Sequence, residues 1–251
     1  MNFEICIINP DKTKVMNRKI EECALKIISK ETKILINKNQ IDENSLSVYY
    51  DESVNVTNLI KEIENNTSSD AFIITCFEDS GLDIARTVTS KPVLGIGESS
   101  FHLANIISKK FSIITTLSRS NEAIKNNLLR YDLNNKCVSL KAIEVPILDL
   151  ETMSNINILK LRNEIERTLT EDKPEAIIIC GLGMLKLSKQ LQDEYEIPVI
   201  EGVSSAITMA ESLIKLGFKI NKLGLKHSIR HRYKGIFQNS LIKSNKKSIN
   251  L

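Results

Sequence analysis

Short, mostly apolar blocks recur along the chain, each followed by a polar turn and then by residues with helical spacing. Residues 3–8 form the first block; "NPDKT" follows, and a helical pattern runs from Met16 to Ile28. Residues 57–63 fit another helix, and "DAFIITC" at 70–76 another buried strand. "KPVLGIG" at 91–97 reads as a further strand, opened by a proline where a ladder N–H can be spared. The pattern then restarts. "FSIITTL" at 111–117 is a strand, and "SRSNEAIKNNLLRYDL" opens a helix that Ser118 or Ser120 can cap, with Glu122 in its first turn. "LKLRNEIERTL" at 159–169 is helical, "PEAIIIC" at 174–180 a strand, and "IPVIEGV" at 197–203 the matching proline-led strand. Strands apolar on both faces and alternating with helices predict parallel sheets covered on both sides.

The two series repeat the same order. Asp70 stands six positions before Cys76, and Glu175 six before Gly181; "PVLG" follows the first turn as "PVIE" follows the second. Such internal likeness predicts an α/β fold of two pseudo-symmetric, three-layer, Rossmann-like half-domains facing each other across a cleft. Their limits are expected at 1–98 plus 207–251 and at 99–206, with a helix over roughly 203–216 returning the chain to the first half. The turns after "DAFIIT" and "EAIIIC" then lie at the carboxyl ends of strands, where open α/β sheets place their ligands.

Composition narrows the class. A chain of 251 residues with 42% hydrophobic content has enough apolar surface for a substantial core. No apolar run is long enough to span a membrane, which takes about 18 residues or more. The start, "MNFEICIINP", enters a strand-like run with no basic region or cleavage-like site, so a cytoplasmic protein is expected. The five cysteines are odd in number and widely spaced, without a CxxC pair, which excludes a disulfide framework or an ordinary zinc cluster. With His102, His227 and His231 scattered as well, no metal is expected. The net charge of +3 hides an asymmetry: from Ser212 to Leu251 there are ten Lys or Arg and no acid, leaving the rest at −7. Phe218, Tyr233 and Phe237 are the only aromatic residues (Phe, Tyr or Trp) interspersed there, and no nucleic-acid module accompanies the charge. It reads as a helix end and a solvated tail, with no nucleic-acid partner expected.

Candidate chemistry concentrates at "ITCFEDSGLD", residues 74–83. A cysteine at a strand's carboxyl end beside a helix start has N–H groups and a helix dipole to favour its thiolate. Cys6, Cys23 and Cys137 are instead expected to be packing residues. The amides of Phe77, Glu78 and Asp79 are placed to hold an anionic group.

The stretches "INPDKTKVM" (8–16), "CFEDSGL" (76–82), "PVLGIGES" (92–99), "KFSIITTL" (110–117), "CGLGM" (180–184), "PVIEGV" (198–203) and "LGLKHS" (223–228) with Tyr233 occur in this order over nearly the whole chain. Together they resemble the aspartate/glutamate/hydantoin racemase superfamily, nearest its hydantoin and allantoin racemase branch. The resemblance implies a substrate held between the halves and no cofactor. It also implies two cysteines, one per half: a thiolate takes the proton beside a carbonyl and the opposing thiol returns one on the other face. A homodimer or homotetramer is implied as well.

Cys76 matches the first of those cysteines. Gly181 occupies the position of the second, with Cys180 one place earlier. A one-residue shift in a strand turns a side chain to the other face, so Cys180 is expected to point away unless a bulge re-aims it. Lys12 stands for a small polar residue, Glu78 for glycine, Ser80 for proline and Glu201 for aspartate, and His227 and Ile229 also differ. The expected function is proton transfer at a carbon beside a carbonyl in a hydantoin, allantoin or amino-acid-like substrate. Cys76, Glu78 and Cys180 are the candidate acid–base groups. The ligand, a small carboxylate or cyclic ureide, is expected among Asn9, Thr13, Phe77, Asp79, Thr115, Thr116, Gly181, Leu182 and Gly183. A single-cysteine isomerase or decarboxylase, or a non-catalytic binding protein, are the alternatives.

Overall fold

Eight strands form two four-stranded parallel sheets that repeat one topology. The first is ordered β2-β1-β3-β4, from β1 (Phe3–Ile8), β2 (Thr32–Ile36), β3 (Ala71–Ile74) and β4 (Val93–Gly95). The second is ordered β6-β5-β7-β8, from β5 (Phe111–Thr115), β6 (Cys137–Ala142), β7 (Ala176–Cys180) and β8 (Val199–Ile200). The computed structural model describes residues 2–10, 14–36, 48–145, 149 and 154–221, and for 48–55 the backbone only. Thr13, His227, His231, Tyr233 and the basic segment beyond 221 lie outside the described residues.

Helices α1 (Lys14–Ala24), α2 (Val48–Asn65) and α3 (Leu82–Val88) belong to the first series. Those of the second are α5 (Asn121–Arg130), α6 (Asn155–Glu171) and α7 (Ser188–Tyr195). Every residue of β3, β5 and β7 is buried, as sheets covered on both faces require. In β1 and β3 the alternation sorts side chains between two clusters. Ile5, Ile7, Ala71 and Ile73 join Met16 and Ile20 of α1, while Cys6, Ile8, Phe72 and Ile74 join Leu59 and Ile63 of α2.

Two crossover helices exchange the chain between the sheets. α4 (Ile96–Ile107) follows β4 yet packs on β7 and β8 of the second sheet. α8 (Gly202–Lys215) follows β8 and packs on β1, β3 and β4 of the first. Glu211 of α8 is anchored there, accepting hydrogen bonds from the Ser29 amide at 2.9 Å and the Ser29 and Thr32 hydroxyls. Both limits expected from the sequence, 98/99 and 206/207, fall inside these helices, and residues 1–220 form one compact unit. Among the described residues no helix is long and apolar enough to cross a membrane.

The crossover helices touch at their starts, and the contact leaves no space for a side chain at Gly202. A Cβ there would stand 2.6 Å from Ile96 Cβ and 2.8 Å from Ile96 O. Gly202→Ala is therefore expected to push α4 and α8 apart and to cost about 1–3 kcal/mol in urea unfolding. A loss below about 0.5 kcal/mol would show that the helices re-seat without strain.

Three local expectations shift. The proline-led strands expected over 91–97 and 197–203 shorten to Val93–Gly95 and Val199–Ile200, because each crossover helix begins as soon as a carboxylate caps it. The buried strand expected over 70–76 ends at Ile74. Ser118–Ser120 make a 3-10 turn; Ser120 occupies the N-cap of α5 but makes no side-chain capping bond. Its backbone, at φ −77° and ψ −13°, is already helical rather than in the extended form that aims a cap hydroxyl at the helix amides.

Candidate active site at the strand ends

In each sheet the chain leaves the central pair of strands in opposite directions: β1 runs on to β2 at one edge, β3 to β4 at the other. β5 and β7 repeat the arrangement. Such a switch point opens a crevice beyond the carboxyl ends of the central strands. Those ends carry Asn9, Cys76, Thr115 with Thr116, and Gly181.

The turn after β3 is held from several sides. The Cys76 thiol donates to Glu78 Oε2 at 3.3 Å, and both residues are half-buried. The Asp79 amide closes the turn onto the Cys76 carbonyl at 3.1 Å. Asp79 adopts φ 54°, a left-handed conformation that Asp tolerates better than most residues. Its buried carboxylate reaches the start of α4, accepting the Gly97 amide at 3.1 Å, the Glu98 amide at 2.7 Å and the Tyr131 hydroxyl at 3.1 Å. The approach is so close that a Cβ on Gly97 would lie 2.2 Å from the Phe77 carbonyl. Phe77 packs edge-on against Phe101 of α4. Asn127 Nδ2 of α5 donates to the Glu78 carbonyl at 2.6 Å.

At the end of β7 the chemistry differs. The β5–β7 ladder runs from Phe111 opposite Ala176 to Thr115 opposite Cys180 with no register shift, so no bulge re-aims Cys180. Counted from the aligned starts of β3 and β7, Cys180 is the counterpart of Thr75, and Gly181 of Cys76. The Cys180 thiol is 2% exposed and packs in the core cluster with Ile178, Ile179 and Met184. Gly181 has φ 149° and ψ 128°, a backbone shape that side-chain-bearing residues rarely adopt. After it, the 3-10 segment Leu182–Leu187 runs to α7 with Leu182 and Gly183 buried. The segment packs on α1, where Lys186 pairs with Glu22. The turn of each half therefore leans on the first helix of the other: 76–79 on α5, and 182–187 on α1.

The remaining strand ends tie these turns down. Asn9 is buried; its Nδ2 donates to Asn17 Oδ1 of α1 at 2.8 Å, and its Oδ1 accepts the Thr75 hydroxyl at 3.4 Å. Thr115 and Thr116 are buried too, and their carbonyls accept the Ile143 and Val145 amides. Nothing along the sequence marks Asn17, Asn127 or Tyr131 as part of this site. Only the polarity of Thr75 at the end of an apolar run signalled anything.

Burial separates the cysteines. It pushes Cys6, Cys23 and Cys137 up to about 12, and Cys180 well above its ordinary value. The Glu78 charge adds to the last effect. Cys23 is tied to Glu201 and Ser204, each at 3.5 Å. Burial also raises Asp79, to about 7, and the Glu98 charge acts in the same direction against the bonds from Glu98 N, Tyr131 and Gly97. Among the described residues no three His, Cys, Asp or Glu side chains converge as a metal would need. What the arrangement offers is one half-exposed thiol with a carboxylate in contact.

Residues 5–210 match the family described as Asp/Glu/Hydantoin racemase. The chain is 34% identical over 240 residues to a hydantoin racemase of Pseudomonas sp. (strain NS671), covering 94% of this chain and 96% of the relative. It is 35% identical over 223 residues to a hydantoin racemase of Rhizobium meliloti, covering 88% and 92% respectively. The structure of an allantoin racemase from Klebsiella pneumoniae superposes with a TM-score of 0.83 at 33% identity, over 89% of this chain and 92% of that one.

Proposed function

Since this chain belongs to the Asp/Glu/hydantoin racemase family, whose common chemistry is cofactor-independent isomerisation or racemisation, we propose that it moves a proton at a carbon beside a carbonyl in a hydantoin, allantoin or amino-acid-like substrate. The observation that carries this reading is the half-exposed Cys76 thiol at the first switch point, in hydrogen-bond contact with Glu78. The hydantoin and allantoin racemases among its relatives point to a cyclic ureide or a small carboxylate as the ligand.

In this reading the substrate lies beyond the ends of β1, β3, β5 and β7, against Asn9, Thr115 and Thr116. Cys76 takes the proton from the carbon next to the carbonyl. The amides of Phe77 and Glu78, with those of Leu182 and Gly183, are the donors we assign to the oxygen on which enolate charge develops. Asp79 acts indirectly, since its carboxylate is engaged at the start of α4. Selectivity comes from the ureide's N–H and C=O groups, since a ligand lacking them leaves buried polar groups unpaired.

The test is solvent-deuterium uptake by single enantiomers of a panel of 5-substituted hydantoins, allantoin and α-amino acids, followed by proton NMR. Deuterium at the acidic carbon is expected with at least one cyclic ureide. No uptake across the panel would refute the assignment. The buried Cys180 favours a second reading, a one-thiol isomerase or decarboxylase, which product analysis on unsaturated or malonate-type acids distinguishes. Assembly as a homodimer or homotetramer belongs to the same proposal; light scattering that gives a monomer at working concentration would exclude it.

A further inference from the structure

We propose that Cys76 and Glu78 form one proton relay on a single side of the site, so that this chain exchanges the acidic proton of its substrate with retention of configuration instead of inverting it. The inference rests on the proton-transfer reading above and specifies its stereochemistry.

Three observations converge. Cys76 Sγ and Glu78 Oε2 are 3.3 Å apart in one turn, two positions apart in sequence, and both residues are half-buried and reachable by solvent. The opposing turn, Gly181-Leu182-Gly183-Met184, has no ionisable side chain, and the nearby Cys180 thiol is sealed in the core by an uninterrupted ladder. The other carboxylate of the first turn, Asp79, is engaged by two amides and the Tyr131 hydroxyl. Among the described residues at the four strand ends, the accessible proton-transfer groups therefore sit together.

The proton balance follows. The Cys76 thiol passes its proton to the Glu78 carboxylate, and the resulting thiolate takes the proton from the substrate carbon, leaving an enolate and a thiol. The Glu78 acid first releases the thiol's original proton to water. Its carboxylate then takes the substrate's proton from Cys76 and passes it to water, and in heavy water a deuteron returns to the sulfur by the same route. Cys76 then delivers it to the face from which the proton left, and a further solvent deuteron resets the thiol after the transfer. The net change is one carbon-bound hydrogen for one deuterium, with no bond to sulfur formed and nothing oxidised or reduced. Inversion needs a donor on the opposite face. Glu78 is thus a positioning and relay residue acting through Cys76, which alone touches the substrate carbon.

The experiment uses the full chain and single-enantiomer 5-substituted hydantoins in D2O near neutral pH, reading deuterium content and configuration together at early times. Deuterium is expected in the retained enantiomer at least about tenfold faster than in the inverted one. E78Q is expected to slow exchange roughly 10- to 100-fold, and E78D to restore part of the rate. Deuterium entering the inverted enantiomer at an equal rate would overturn the one-sided relay while leaving the proton-transfer function standing. No exchange with any substrate would overturn that function, and the stereochemical claim with it. A second measurement needs no substrate: the pH–rate profile of Cys76 alkylation by iodoacetamide, followed by peptide mass. Replacing the carboxylate by an amide removes a negative charge beside the sulfur, so E78Q is expected to alkylate roughly five- to tenfold faster near neutral pH. Superimposable profiles for the two proteins would sink the relay.

Discussion

Cys76→Ala is expected to reduce solvent exchange at the substrate's acidic carbon by at least about a thousandfold, with folding unimpaired. A positioned acid–base group is worth about 10²- to 10⁴-fold. Here one thiol both removes and returns the proton, so its loss falls toward the upper part of that range. The other cysteines do not substitute, since burial raises the Cys6, Cys23, Cys137 and Cys180 thiols and Cys180 lies in the core. Cys76 is only half-buried, so truncation is expected to change stability by less than about 1 kcal/mol. Proton NMR in D2O supplies the rate, and thermal unfolding by circular dichroism supplies the control. A folded variant retaining more than about a tenth of the activity would place the proton acceptor elsewhere.

The second large effect falls on stability. Asp79→Ala is expected to cost about 2–4 kcal/mol, because it leaves the Gly97 and Glu98 amides and the Tyr131 hydroxyl without their acceptor at a buried helix start. The same carboxyl makes the fold pH-dependent. Its folded value, about 7, lies above the ordinary value of 3.8, with burial the main cause and the Glu98 charge acting in the same sense. Arg86 pairs with Glu98 and limits that charge. A raised carboxyl favours the protonated form in the fold. Its contribution is therefore fully present below about pH 4 and is lost as the pH rises through about 7. Asp79→Asn removes the titration. In urea unfolding the advantage of the native protein over Asp79→Asn is expected to shrink by on the order of 2 kcal/mol between pH 5 and pH 8. A difference that is constant, or that grows with pH, would show that Asp79 is ionised throughout.

Much of the architecture was legible locally. "DAFIITC", "FSIITTL" and "PEAIIIC" each hold an unbroken apolar run because both faces of a central parallel strand are covered, and β3, β5 and β7 lie there. The duplicated order of strand, turn and proline-led strand predicted two like halves, and the two sheets share one strand order. β2 and β6 carry no such signal. They are edge strands, mostly half-buried, so "TKILI" and "CVSLKA" lack the continuous apolar run that marks their central neighbours. The strands expected over 91–97 and 197–203 were too long for a related reason. Glu201 caps α8 from its own position, but the carboxylate at the start of α4 comes through space from Asp79.

The site divides along the same line. That Cys180 is one place out of step with Cys76 follows from sequence alone, since the two-residue period of a strand makes a shift of one a change of face. That no bulge undoes the shift is a property of the β5–β7 ladder, and the burial of the thiol is a property of the core around it. The bonds from Asn127 to the Glu78 carbonyl and from Tyr131 to Asp79 join residues 49 and 52 positions apart. Apolar periodicity is written between near neighbours, because it reflects which face of one element meets the core. Which polar group meets which is decided only when two sheets exchange their crossover helices and bring distant turns together, since a hydrogen bond depends on separations of tenths of an ångström that no spacing along the chain encodes.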